Sequence, residues 1–162
     1  MKLCNDIINI SSFSLACSSA LALVMLGLPV TGVAAPKVIE LTQVPCQFLE
    51  SENGVNHRYK STRKADCEMI NAKTAPQRLA ESKTIVLQPG EYIFRVTNKN
   101  VPYDLGFWLR GDGVVAFATL PSVSGGGLSM GKTRDYKINL KLGEYIYSCP
   151  LNPTPNYKLI VE

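Results

Sequence analysis

Three cysteines and one histidine are the residues of this sequence best suited to chemistry. Cys46, Cys67 and Cys149 remain when the first 34 residues are set aside, and His57 is the only imidazole among the 162 residues. Thiolates bind soft metal ions, form disulfides or act as nucleophiles, and an odd number leaves at least one unpaired within the chain. A nucleophilic cysteine needs a base close by, but His57 lies in a separate polar stretch and is expected to be an exposed loop residue. We therefore expect a protein that is not an enzyme.

A disulfide is the simplest alternative use of two of these sulfurs. A bridge between Cys46 and Cys67 would close a loop of about 20 residues and would stabilise the fold by about 3 kcal/mol. Cys149 would then remain as a free thiol packed under Tyr145 and Tyr147. The spacing alone leaves both uses of the cysteines open.

Residues 1–34 have the layout of a secretory signal peptide. A basic Lys2 precedes the apolar run from Ala20 to Val33, and small residues follow it, which predicts cleavage after Ala34. An uncleaved anchor is the alternative, but the run is shorter than the ~20 apolar residues of a membrane span. We expect export to the periplasm, with membrane contact only through an uncleaved signal. The net charge of +4 without a long basic run predicts no nucleic-acid binding.

The rest of the sequence predicts short β-strands separated by turns, as in an antiparallel or Greek-key sandwich. The one helix candidate runs from Asp66 to Ala80, and Pro76 is expected to end or break it. The glycine-rich stretch from Pro121 to Gly131 is predicted to be a loop. Residues 35–83 would supply a first strand and a loop-and-helix insert, and residues 84–162 the core of the same domain. The predicted strands cover residues 37–42, 44–49, 84–87, 91–97, 105–110, 114–118, 133–140, 144–149 and 157–161.

The second half of this strand pattern resembles the cupredoxins. The stretch from Gly131 to Val161 contains a polar–apolar strand, the segment GEYIYSC ending at Cys149, a loop and a short last strand. The stretch from Pro89 to Asn98, with the residues that follow it, is similar to the strand pair that leads to the first copper ligand. The resemblance implies an all-β Greek-key sandwich of cupredoxin type, with one short inserted helix.

The resemblance carries over only one ligand of a blue-copper site. Such a site uses two histidines, a cysteine and a weak axial methionine. Cys149 matches the cysteine, but the histidine positions fall at or beside Tyr103 and on Asn152, and the methionine position falls near Pro155. A chain with one histidine cannot supply two imidazole ligands, so a type 1 blue centre is excluded. The loops around this position are expected to present Tyr103, Asn152, Pro153 and Tyr157.

A metal site of thiolate and carboxylate groups is the hypothesis that remains. Soft thiolate and thioether ligands favour copper(I), and carboxylate oxygen widens the choice towards iron(III) or copper(II). We therefore predict a copper ion as the cofactor, with iron as the alternative. The candidate ligands are Cys149, Cys46, Cys67, Glu68, Glu50, Asp104 and Met69.

Two functions follow from this reading. The first is metal handling or electron transfer, with a periplasmic or membrane redox or transport protein as partner. The second is a metal-free cupredoxin-like module that is stabilised by a disulfide and contacts a protein partner. Trp108, within a run of three large apolar residues, is a candidate for such a contact.

Overall fold

The computed structural model describes residues 35–162, and the predicted signal peptide lies outside the described residues. Nine strands form two sheets, with strand order β2-β1-β4-β7 in one and β3-β9-β8-β5-β6 in the other. The predicted all-β sandwich is therefore confirmed. The strands are β1 (Lys37–Val44), β2 (Gln47–Phe48), β3 (Ile85–Leu87), β4 (Gly90–Asn98), β5 (Leu105–Gly111), β6 (Val123–Leu128), β7 (Thr133–Leu140), β8 (Gly143–Ser148) and β9 (Tyr157–Val161).

Period-two patterns place the core between the sheets. In β4, Tyr92, Phe94 and Val96 are buried and alternate with more accessible side chains, as expected for a strand with one face on a core. Strands β7, β8 and β9 also alternate buried and more accessible residues, and their buried residues are mainly aromatic or aliphatic. β1 lies between β2 and β4 and pairs with β4 in parallel, with Leu41 opposite Val96.

The inserted helix α1 (Lys64–Glu81) is longer than predicted, with 18 residues, and it continues through Pro76. Its first turn is capped by the carboxylate of Asp66, which accepts hydrogen bonds from the backbone N–H groups of Thr62 at 2.8 Å and Arg63 at 3.2 Å. Pro76 is exposed, so its ring projects into solvent. The helix continues beyond it because Arg78, in the following turn, is buried against the sandwich.

Two segments differ from the prediction. The predicted strand at residues 114–118 is a second helix, α2 (Gly113–Thr119). It lies close to the end of β5, because Gly111 has no side chain: a Cβ there would lie 2.2 Å from the carbonyl oxygen of Ala116. The predicted glycine loop contains β6, which pairs with β5. Gly106 of β5 allows this close approach, since a Cβ there would lie 2.6 Å from the carbonyl oxygen of Gly125 in β6.

Among residues 35–162, neither helix has the length and apolar character needed to cross a membrane.

Candidate functional site

Cys149 lies directly after β8 and is the only free cysteine within the described part of the chain. Its side chain is 1% exposed. The Sγ atom accepts hydrogen bonds from the backbone N–H groups of Gly106 at 3.3 Å and Asn152 at 3.2 Å. Burial raises the pKa of this thiol, although the backbone donors oppose the shift. Cys149 is therefore a protonated thiol at neutral pH.

Cys46 and Cys67 form a disulfide, which confirms the pairing predicted as one alternative. The bond joins the turn after β1 to the first turns of α1, and both residues are fully buried. Because each sulfur is bonded to the other, neither is available as a thiolate ligand. The interpretation of Cys46 and Cys67 as metal ligands does not hold for this oxidised form.

Asn152 connects the thiol region to the disulfide. Its Oδ1 atom accepts hydrogen bonds from the backbone N–H of Cys46 at 2.9 Å and from the hydroxyl of Tyr103 at 3.4 Å. The same oxygen lies 3.1 Å from Sγ of Cys67, a contact without a proton because that sulfur is in the disulfide. The amide N–H group of Asn152 donates to the carbonyl of Val44 at 3.0 Å. The side chain is fully buried with its polar atoms satisfied.

Gln43 and Tyr103 complete this polar layer. Gln43 is fully buried and donates through Nε2 to the carbonyl of Gly106 at 2.8 Å, which connects β1 to β5 across the two sheets. The Tyr103 hydroxyl lies 2.6 Å from Oγ of Ser61. Burial raises the pKa of Tyr103, although its bond to Ser61 opposes the shift, so the phenol stays neutral. Sequence analysis missed Gln43, because a glutamine in an alternating strand normally indicates a solvent-facing position.

The acidic candidates next to the strands have partners of their own. The carboxylate of Glu50 accepts a hydrogen bond from the backbone N–H of Thr42 at 2.6 Å. The carboxylate of Asp104 accepts one from the hydroxyl of Ser129 at 2.7 Å. Both acids are exposed, whereas Cys149 is buried. The structure does not bring them to the thiol.

The two candidates on α1 lie on its solvent side. Glu68 pairs with Lys64 at 3.3 Å, and Met69 is 60% exposed. Within residues 35–162, no group of three or more His, Cys, Asp or Glu side chains is placed to hold a metal ion. The proposed thiolate–carboxylate ligand set is therefore not assembled.

The loop after Cys149 is held to its surroundings by specific bonds. The backbone N–H of Cys149 donates to Oγ1 of Thr154 at 3.0 Å. The carbonyl of Pro153 accepts a hydrogen bond from the side-chain amide of Asn71 on α1. Tyr157 is buried at the end of the loop and donates to the carboxylate of Glu52. Pro153 and Tyr157 therefore hold the loop in position beneath α1 and do not face an open site.

A buried ion pair lies at the other end of α1. Nε of Arg78 is 3.1 Å from each carboxylate oxygen of Glu52, and each side chain is 4% exposed. His57 also reaches this carboxylate, with Nε2 2.7 Å from Oε2, and its ring stacks on Tyr59. His57 is thus an exposed loop residue, as expected, and its ring is also paired with Glu52. No sequence pattern distinguishes Glu52 and Arg78 from surface charges.

An apolar surface lies at the opposite end of the sandwich from Cys149, at the turn between β7 and β8. It consists of Val114, Val115, Phe117 and Leu142, which are 89%, 77%, 56% and 64% exposed, and we call it the α2 patch. None of the residues of α2 is buried. A groove along the helix is lined by residues of this patch, and its charged lining residues are Asp112 and Glu144.

Trp108 lies beside this surface. Its ring packs edge-on against Phe117, with centroids 6.2 Å apart, and the guanidinium of Arg110 lies 3.9 Å from the Trp108 ring centroid. Trp108 is consequently only partly exposed, and Phe117 presents more of its surface to solvent.

Comparison with known proteins gives matches in structure only. No protein-family model and no curated protein matches the sequence. Auracyanin B is similar over 81% of this chain and 93% of its own, with 12% identity and a TM-score of 0.47. Dithionite-reduced auracyanin from Roseiflexus castenholzii is similar over 80% of this chain and 99% of its own, with 11% identity and a TM-score of 0.44. Auracyanin A, a blue copper protein from Chloroflexus aurantiacus, is similar over 79% of this chain and 100% of its own, with 15% identity and a TM-score of 0.44. At these identities and TM-scores, the three structures assign no family, ligand or activity to this chain.

Proposed function

We propose that this protein is an exported cupredoxin-like domain that works without a copper centre and binds a protein partner through the α2 patch. The observation that carries the proposal is a seven-residue helix with no buried side chain that presents Val114, Val115 and Phe117 to solvent. Large contiguous apolar patches on soluble proteins typically mark interaction sites.

The groups around Cys149 argue against a copper centre in the oxidised protein. Copper sites in this fold class use imidazole and thiolate donors. Here the neighbours of the thiol are the amide of Asn152, the phenol of Tyr103 and the amide of Gln43, each with a hydrogen-bond partner in the protein. A metal ion would have to displace these bonds and gain only neutral oxygen ligands besides one sulfur. The donor set therefore does not fit copper.

The α2 patch offers enough apolar surface to support association. Fully burying a Val, Leu or Phe side chain contributes about 1.5–3 kcal/mol, and the four residues of the patch are more than half exposed. Part of that gain offsets the loss of translational and rotational freedom. Affinity in the micromolar range is consistent with this balance.

The charges that line the groove indicate the kind of partner. Asp112 and Glu144 line the groove, and no basic residue lines it. Carboxylates at this position would be repelled by anionic lipid headgroups, whereas they complement Lys or Arg side chains. We therefore favour a protein segment with apolar side chains flanked by basic residues over a membrane surface.

Site-specific crosslinking tests this proposal. A photoreactive amino acid replaces Val115 in the exported protein, and the matched control carries it in place of Val86, which is an exposed valine on β3. We expect an adduct with one defined partner protein from position 115 only, and weaker binding of that purified partner to Phe117→Ser. Adducts with lipid alone, with a second copy alone, or equally from both positions would contradict the proposal.

Metal handling, with copper ahead of iron, is a second candidate function. One observation favours it: the residues that carry the three sulfurs all contact Asn152. This function requires a different redox form of the protein from the one described above.

A further inference from the structure

We propose that one edge of the sandwich binds an extended segment of a partner protein, which adds to β1 as a further strand. We call this place the β1 edge, and it consists of the outward backbone groups of Val38 and Glu40 with the groove between β1 and β3. The occupant that we infer has apolar side chains at alternate positions and a Lys or Arg at one end. The inference goes beyond partner binding by the α2 patch and does not depend on it.

β2 covers only a small part of the edge of β1. The two strands pair at Gln43 with Phe48 and at Val44 with Gln47. On its other side, β1 is paired with β4 along residues 37–43. Within residues 35–162, the first half of β1 therefore has a neighbouring strand on one side only.

Alternate residues of β1 direct their backbone N–H and C=O groups away from β4, as the period of two in a strand requires. Gln43 faces β4, since its carbonyl accepts a hydrogen bond from the backbone N–H that follows β4, at 3.0 Å. Thr42 faces away, because its carbonyl accepts one from the N–H of Leu49 at 3.0 Å. Val38 and Glu40 share the direction of Thr42, and no strand of the described part of the chain pairs with them there.

Glu50 marks the end of this open stretch. Its carboxylate accepts a hydrogen bond from the backbone N–H of Thr42 at 2.6 Å, where an added strand would otherwise place a backbone carbonyl. The outward groups of Val38 and Glu40 remain, and they lie about 7 Å apart along the strand. Each residue offers one donor and one acceptor, which is the pattern that an extended backbone complements.

The hydrophobic core is incompletely covered beside this edge. Ile39 of β1 and Ile85 of β3 pack against the core but are only partly buried. With Leu41, they supply apolar side chains to the groove between the two strands. Among residues 35–162, no hydrogen bond connects β1 to β3. Inward-facing apolar side chains of an added strand would cover these residues and would gain hydrophobic free energy.

The opposite side of the sandwich is closed. There the edge strands are β6 and β7, and the guanidinium of Arg134 on β7 donates to the carbonyl of Gly126 on β6. The hydroxyl of Tyr136 also donates to the carbonyl of Gly125 at 3.4 Å. Native sheets usually cover or block their edges. The contrast between the two sides therefore identifies β1 as the edge that is open to a further strand.

The charges of the groove indicate which end of the occupant is basic. The charged lining residues are Glu40, Glu50 and Lys83. Glu40 lies 3.7 Å from the guanidinium of Arg95, whereas Glu50 forms no ion pair within the described residues. A Lys or Arg of the occupant placed beside Glu50 would supply the complementary charge.

These charges favour a segment of another protein over other occupants. A second copy of this chain would bring a second Glu40 to the same edge, and like charges on paired strands are destabilising. The apolar run over residues 20–33 of this chain contains no basic residue, so it would leave Glu50 without a counter-charge.

Amide hydrogen exchange, followed by NMR on the isotope-labelled exported protein, tests the inference. The probe is the acetylated and amidated peptide KTVTVTV, and its matched control is ETVTVTV. In the protein alone, the amides of Val38 and Glu40 should exchange rapidly, whereas those of Ile39 and Leu41 are protected by β4. With KTVTVTV at about ten times its Kd, exchange at Val38 and Glu40 should slow by about tenfold. ETVTVTV should bind more weakly, because its glutamate replaces the basic residue.

Two variants test the backbone contact. Val38→Pro removes an outward N–H and leaves the bonds to β4 in place, and its ring occupies the position of the added strand. It should weaken binding of KTVTVTV by about tenfold or more. Val38→Thr keeps the N–H and should bind as the parent does. Retained protection at Ile39 and Leu41 verifies that both variants are folded, and the comparison of the two peptides needs no variant.

Several outcomes would overturn the inference. Unchanged exchange at Val38 and Glu40 with millimolar peptide, or protection at β6 or β7 in their place, would show that β1 is not the binding edge. Equal affinities of Val38→Pro and Val38→Thr would exclude the backbone contact. Protection without peptide that grows with protein concentration, or that requires residues 1–34, would identify a second copy or the chain itself as the occupant.

The crosslinking at Val115 is independent of these results. Its control position, Val86, lies between Ile85 and Leu87, which both pack against the core. Because side chains alternate along a strand, Val86 points to the outer face of its sheet and away from the groove. Failure at the β1 edge therefore leaves the α2 patch proposal standing, and the reverse also holds.

Discussion

Replacement of Arg78 by methionine should destabilise this protein far more than the same replacement at Arg95. Methionine keeps most of the apolar stem of the arginine and removes its charge. Arg78 bonds both carboxylate oxygens of Glu52, and it also donates to the carbonyl of Cys46 at 2.9 Å and to Asn71 at 2.6 Å. Arg95 makes a comparable two-point contact with Asp135, but 40% of its side chain is exposed.

The size of the expected loss in unfolding free energy follows from the burial of the Arg78–Glu52 pair. Removing one partner of a buried ion pair costs about 3–5 kcal/mol, because the remaining charge is left without compensation. Glu52 is 5% exposed, and without Arg78 it would retain only neutral donors and His57. Domains of this size unfold with about 5–15 kcal/mol, so Arg78→Met should remove a large fraction of the stability. Arg95→Met should have a much smaller effect, since water and salt already screen that pair.

Urea unfolding followed by the fluorescence of Trp108, the only tryptophan, measures both variants in one assay. The double variant Glu52→Met/Arg78→Met should be more stable than Arg78→Met alone, since it removes the unpaired charge. Equal midpoints for Arg78→Met and Arg95→Met would refute the reasoning, and so would a double variant that loses the sum of the two single effects.

Three further predictions concern the disulfide, the thiol and α2. Replacing Cys46 and Cys67 by alanine should lower the unfolding free energy by about 3 kcal/mol through loop entropy, measured by urea unfolding against the oxidised parent; an unchanged midpoint would contradict it. Because burial raises the pKa of Cys149 above its ordinary value of 9.0, the native state keeps a proton that the unfolded chain releases. The contribution of the Cys149 thiol to the free energy of unfolding is therefore fully present at neutral pH. It falls as pH rises above about 9, by up to about 1.4 kcal/mol per pH unit. Cys149→Ala should flatten this slope between pH 8 and 10, and an identical slope would contradict the assignment. Gly111→Ala should displace α2 and lower the melting temperature, whereas Gly126→Ala meets only ordinary contacts and serves as the control; equal melting temperatures would contradict this account.

Strands with regular alternation were predicted closely from the sequence. The prediction for β7 over residues 133–140 coincides with the observed strand, and that for β4 is one residue short at each end. The segment from Val114 to Ala118 was predicted wrongly because a run of apolar residues has no period that distinguishes a strand from a helix. Its helical form depends on the close approach of its backbone to Gly111, which is a tertiary effect.

The candidate site was predicted in part. The single histidine predicts that the chain lacks a type 1 copper ligand set, and the observed Cys46–Cys67 pairing was one of two alternatives. The packing of Gln43 and Asn152 between the sheets could not be predicted, because buried amides and solvent-facing amides have the same sequence pattern. The length of α1 beyond Pro76 likewise depends on burial of Arg78, which only the folded chain reveals.

The order of the cysteines has a consequence for how the protein matures. Cys46 and Cys67, which form the bonded pair, are consecutive cysteines in the sequence, and Cys149 follows some 80 residues later. If the polypeptide is threaded through a translocation pore with its amino terminus leading, an oxidase on the far side meets the correct two thiols before the third arrives. Such a chain can acquire its native cross-link in a single step and would not depend on an isomerase to correct it.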